Sequence, residues 1–161
     1  MAEDLKLTAT SKEEKYKELV PQIIGLLQNE NDTIANMANI CSALKYGMHF
    51  FWVGFYLVKN NELVLGPFQG PIACTRIAKG KGVCGLSWEK KQTMIIEDVD
   101  KFPGHISCSA LSKSEIVIPI FNDEKKVIAV LDIDSDVLNT FDKTDELYLK
   151  KIIEQIKVLN F

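Results

Sequence analysis

The feature that most constrains this chain is a change of hydrophobic period at Phe50. Before it, Tyr16, Leu19, Val20, Ile23, Ile24 and Leu27 recur at the three-and-four spacing of a helix face, despite Pro21. Ile34, Met37, Ala38, Cys41 and Leu44 repeat the pattern up to Gly47. Ser11 with Glu14 fits a capping box for the first helix, and Asp32 suits the N-cap of the second. After Phe50, FFWVGFYLV is aromatic and β-branched, and Asn60-Asn61 divides it from LVLGPF. That break predicts a hairpin, since asparagine tolerates the left-handed backbone of a tight turn.

The remaining pattern continues the sheet. A short strand is expected over 72–77, then a brief helix bracketed by Gly80, Gly82 and Gly85 and running through Trp88 and Lys90. Strands follow over 93–96, 115–121 and 127–133, the last two joined as a hairpin across 122–125. Thr144 or Asp142 caps a closing helix whose apolar face is Leu147, Tyr148, Ile152, Ile156 and Leu159. The fold class is therefore α+β, a sheet of about six strands flanked by N-terminal and C-terminal helices. Residues 1–10 lack periodicity and are expected to form a mobile or loosely docked arm, with one domain over 11–161.

Composition excludes several classes of function. A net charge of -3 with 47% apolar residues disfavours nucleic acid and anionic membranes as partners. No charged leader with an apolar run opens the chain, and no apolar run is long enough to span a bilayer. Four cysteines are too few for a secreted disulfide scaffold of this length, so a cytoplasmic protein with thiols reduced at rest is expected.

The chemistry concentrates between Gly66 and Pro119, which holds Cys74, Cys84 and Cys108, the single arginine and His105. Structural zinc sites present close pairs such as C-x2-C; here the one near neighbour is His105, three residues before Cys108. Cys108 lies in KFPGHISCSALSKS, a loop of Pro, Gly and hydroxyl residues where a thiol meets solvent and backbone amides, so it is the candidate nucleophile. Cys41, on an apolar helix face, suits inert packing. Glu115 opens one strand, and alternation puts Asp132 and Asp134 on one face of another. Those two acids either line a polar pocket or finish a strand at the water. Trp52 and Tyr56 share a strand face that either packs against a helix or lines a cavity. His105 suits a structural hydrogen bond as well as proton transfer.

The segments GPFQGPIACTRIAKGKGVCG, DVDKFPGHISCSALSKSEIVIPI and VLDIDS, in this order, closely resemble the free methionine-R-sulfoxide reductases, which are built on a GAF domain. The resemblance runs from the first helix over nearly the whole chain. It implies a GAF-like domain with a central antiparallel sheet. By resemblance, Cys108 is the catalytic cysteine, Cys74 its main resolving partner and Cys84 a second thiol able to pair with it. Trp52 and Tyr56 line the methionine side-chain pocket, and Glu115, Asp132 and Asp134 form the acidic substrate-binding and catalytic group. The substrate implied is free methionine-R-sulfoxide, the partners are thioredoxin and a second copy in a homodimer, and no metal or organic cofactor is implied. A GAF pocket that senses a small ligand is the second reading. It needs the same fold, but usually an output domain as well.

Overall fold

The computed structural model describes residues 4–104 and 109–156. Helices α1 (Lys12–Leu27) and α2 (Thr33–Met48) lead into the hairpin β1 (Trp52–Lys59) and β2 (Glu62–Gln69). Then come β3 (Arg76–Ala78), α3 (Gly82–Lys90), β4 (Met94–Ile96), β5 (Ser114–Phe121), β6 (Val127–Ser135) and α4 (Lys143–Ile153). The six strands form one sheet in the order β3-β2-β1-β6-β5-β4, with every neighbouring pair antiparallel. The expected α+β architecture is thus the one observed. Asn60 and Asn61 both have positive φ, as the tight hairpin turn requires.

Alternation along the central strands divides the interior in two. Val53, Phe55, Ile116, Ile118, Leu131 and Ile133 join the buried faces of α1, α2 and α4 in the larger core. On the opposite face, Trp52, Tyr56, Val117 and Val130 pack with Val83, Cys84 and Trp88 of α3. Among the described residues, no helix is long and apolar enough to cross a membrane.

Several local expectations are corrected. Ser11 occupies the N-cap of α1, but its hydroxyl donates to Glu14 Oε2 (2.7 Å) instead of accepting from the backbone. A reciprocal capping box forms instead at α4, between Asp142 and Asp145. Asp32 does cap α2, accepting from the Ala35 N–H at 2.8 Å. The buried stripe of α2 is rotated from the predicted one: Ile34 and Ala38 are exposed, while Asn36, Met37, Ile40, Cys41 and Leu44 are buried. The buried Asn36 amide nitrogen donates to the Glu30 carbonyl (3.0 Å), while its Oδ1 has no hydrogen-bond partner among the described residues. In α4, Leu147 is exposed and Leu149 takes its place in the core; Leu159 lies outside the described residues.

The strand expected over 72–77 shrinks to β3. Two side chains of β1 hold the backbone of 71–74 off the sheet: Trp52 Nε1 donates to the Pro71 carbonyl and Tyr56 Oη to the Cys74 carbonyl, each at 3.0 Å. Carbonyls engaged this way do not enter a ladder. Residues 4–10 carry no regular structure. Thr8 donates to Glu18 of α1, and Leu5 and Leu7 pack on the core.

Candidate active site

The smaller core opens into a pocket whose walls come from six parts of the chain. Strand β1 supplies Trp52 and Tyr56, β5 supplies Glu115, and β6 supplies Asp132 and Asp134. Helix α3 adds Val83 and Cys84, the β2–β3 connection adds Pro71, Ile72 and Ala73, and Ser109 and Ser112 close one side. About 550 Å³ of empty space lies within, counting solvent at the mouth.

Sheet register brings the acids together. Asp134 is paired with Trp52 on one side and Glu115 on the other, while Asp132 is paired with Gly54 and Val117. Gly54 is required by the aromatic wall, since a Cβ there would stand 2.2 Å from Trp52 Cη2 and 2.7 Å from Phe68 Cβ. Without that Cβ, the indole lies along the strand, its ring centroid 6.1 Å from Tyr56 and 5.5 Å from Phe68.

The electrostatics follow from burial and crowding. Glu115 and Asp132 are buried, and no lysine or arginine is among the described residues lining the pocket. Burial, then the Asp132 and Asp134 charges, push the Glu115 carboxyl well above the usual carboxylate range. Burial and Asp134 do the same to Asp132. Burial raises Asp134 to about 6. That rise is opposed by the Ser112 hydroxyl, which donates to Asp134 Oδ1 in a short hydrogen bond. Three acids this close do not all ionise at neutral pH, so the cluster keeps a proton it can donate. Cys84 is held as a thiol, its pKa raised by burial and then by the charges of Asp132 and Glu115.

Of the residues singled out from sequence, Trp52, Tyr56, Cys84, Glu115, Asp132 and Asp134 meet in this one pocket. The aromatic face both packs against α3 and lines the cavity, and the acids line the same cavity. Cys74 is half-buried in the β2–β3 connection, next to the pocket-lining Ala73. Cys108 and His105 lie outside the described residues. Cys41 is buried in the larger core with its thiol pushed above the ordinary range by burial, as inert packing requires. Sequence reasoning missed Ser112 and Phe51. The serine was one hydroxyl among several in its loop. Phe51 stands just before β1, outside the strand's alternation, and lines the pocket.

Comparison with known proteins places the chain. The GAF domain family matches residues 28–159. GAF domain-containing protein A of Dictyostelium discoideum is 61% identical over 155 residues, covering 96% of this chain and 98% of that protein. The free methionine-R-sulfoxide reductase of Escherichia coli is 44% identical over 149 residues, covering 91% of this chain and 89% of that protein. Among solved structures, the free methionine-R-sulfoxide reductase of Neisseria meningitidis in complex with its substrate superposes with a TM-score of 0.94 at 49% identity. That likeness covers 98% of this chain and 94% of the other. Sequence identity of this order across whole chains, with the same fold, leads to one assignment: the chain belongs to the GAF domain family and, within it, to the free methionine-R-sulfoxide reductases.

Proposed function

We propose that this chain reduces free methionine-R-sulfoxide to methionine through cysteine chemistry, with thioredoxin as the external reductant. The observation that carries the reading is the pocket's division into an aromatic wall, Trp52 and Tyr56, and an acidic wall, Glu115, Asp132 and Asp134. A methionine sulfoxide has matching parts. Its methyl and thioether carbons suit the rings, its ammonium suits a carboxylate, and its oxygen needs a proton donor. A peptide-bound residue has no such ammonium, which is a physical basis for preferring the free amino acid.

In this scheme the Cys108 thiolate attacks the sulfoxide sulfur while a protonated carboxyl of the cluster delivers its proton to the oxygen. The S–O bond breaks, methionine leaves, and Cys108 carries the oxygen as a sulfenic acid. The Cys74 thiol then attacks the Cys108 sulfur, expelling water and forming a disulfide. Cys84, protonated and beside the acids, is the second thiol able to make this bond. The thioredoxin dithiol reduces the disulfide, its potential of about -270 mV being suited to a bond that is not deeply stable. We place the reaction in the cytoplasm, in one domain over 11–161 that pairs through its terminal helices as a homodimer.

The test is NADPH consumption coupled through thioredoxin reductase and thioredoxin, with separated R and S epimers of free methionine sulfoxide and a sulfoxide-bearing peptide. Turnover confined to the free R epimer is expected. Cys108→Ser abolishes it, and Cys74→Ser gives a near-stoichiometric burst followed by a stall. No turnover of any substrate by a folded, reduced sample overturns the proposal in favour of a ligand sensor.

A further inference from the structure

Within the pocket, Cys84, Glu115 and Asp132 present one donor atom each, all lying within 4.8 Å of one another. Cys84 Sγ stands 4.0 Å from Glu115 Oε1, and all three residues are buried. Asp132 Oδ1 is buried with no hydrogen-bond partner among the described residues, and its side chain lines the pocket. A buried, unpaired carboxylate oxygen is costly unless a proton donor or a cation satisfies it. Again no lysine or arginine among the described residues lines this pocket.

We propose that the reduced pocket binds one divalent cation of the zinc class, with Cys84 Sγ, a Glu115 oxygen and an Asp132 oxygen as its protein ligands. The donor set selects the metal. Calcium and magnesium take six or more oxygens, whereas one thiolate with two carboxylates suits zinc, which accepts three protein ligands and leaves a fourth position for water. With Zn–S near 2.3 Å and Zn–O near 2.1 Å, tetrahedral angles put sulfur and oxygen about 3.6 Å apart. Side-chain shifts of a few tenths of an ångström therefore close the Cys84–Glu115 gap. No electrons move. The Cys84 S–H proton and the protons held by the Glu115 and Asp132 carboxyls pass to solvent, and the thiolate and one oxygen of each carboxylate form the metal bonds. A cation seated here fills the acidic wall and withholds Cys84 from disulfide exchange, so it inhibits turnover. That last consequence rests on the reductase reading, whereas the site itself does not.

The test uses the full chain, reduced and stripped of metal. Zinc chloride is titrated against a chromophoric chelator, and cobalt(II) is used to report sulfur ligation by its charge-transfer absorption. One zinc per chain is expected. Cys84→Ser and Asp132→Asn each weaken it by about 100-fold or more, since even outer-shell partners are worth 10–100-fold. The cobalt–sulfur band disappears in Cys84→Ser and persists in Cys74→Ser. Zinc binding that survives Cys84→Ser, or that requires Cys74 and Cys108 instead, overturns the site. If Cys84→Ser does not fold, the native chain decides: zinc must protect Cys84 from a small alkylating agent, read by peptide mass spectrometry, and equal labelling with and without zinc overturns it. Cys84-dependent zinc binding supports the site whether or not methionine sulfoxide is turned over. Turnover without such binding overturns the site and leaves the reductase reading standing.

Discussion

On the helix side of the sheet, Val53, Phe55, Ile116, Ile118, Leu131 and Ile133 interlock with α1, α2 and α4. On the other side, the same three strands present Trp52, Tyr56, Glu115, Val117, Asp132 and Asp134. Because side chains alternate, β6 carries Leu131 and Ile133 for packing and Asp132 and Asp134 for chemistry in four consecutive residues. The helix side gathers apolar area and stabilises the fold. The pocket side crowds buried acids whose mutual repulsion opposes it. A site of this kind needs a well-packed opposite face, so the packed side and the acidic wall are expected to answer substitution with opposite signs.

The largest effect is expected on the packed side. Leu131→Ala removes a fully buried side chain and should cost about 2–5 kcal/mol in urea unfolding. A loss well below that range breaks the contrast. Next comes the aromatic wall, where Gly54→Ala drives a methyl into the Trp52 ring. It should cost about 1–3 kcal/mol, shift tryptophan fluorescence and raise KM for the sulfoxide. A variant with unchanged fluorescence and KM contradicts the close fit.

The acidic wall should respond in the other direction. A carboxyl whose folded pKa is raised binds its proton more tightly in the native state, so its stabilising contribution is full below the unfolded pKa and lost as pH rises through the folded value. For Asp134 that loss falls between about pH 4 and 6 and persists above it. Asp134→Asn should therefore match the parent protein near pH 4 and exceed it by about 1–3 kcal/mol at pH 8, with activity reduced. Thermal melts across pH measure this; a less stable variant at pH 8 refutes the claim that the cluster is strained. The smallest effect is expected from Ser112→Ala. Losing the hydroxyl that donates to Asp134 should raise its pKa above 6 by about one unit or less, seen as a shifted carboxyl titration by NMR. An unmoved titration breaks the Ser112–Asp134 link.

The sequence alone determined what depends on neighbours along the chain. Helices before Phe50, strands after it, the Asn60-Asn61 turn and the shared face of Asp132 and Asp134 all follow from local period and turn chemistry. These are set by backbone geometry within a few residues. What those faces meet was decided by tertiary packing. Met37, Cys41 and Leu44 stayed in the stripe of α2, but contacts with α1 and the sheet took in Ile40 in place of Ile34 and Ala38. Residues 71–74 left the sheet because Trp52 and Tyr56, 19 and 18 positions earlier, captured the Pro71 and Cys74 carbonyls. Cys84 reached Glu115, 31 residues later in the chain, because α3 packs across β5 and β6. The raised pKa of Glu115 likewise comes from burial and from the Asp132 and Asp134 charges on a separate strand. No periodicity within a single segment encodes such meetings, since they exist only once distant segments share one interior.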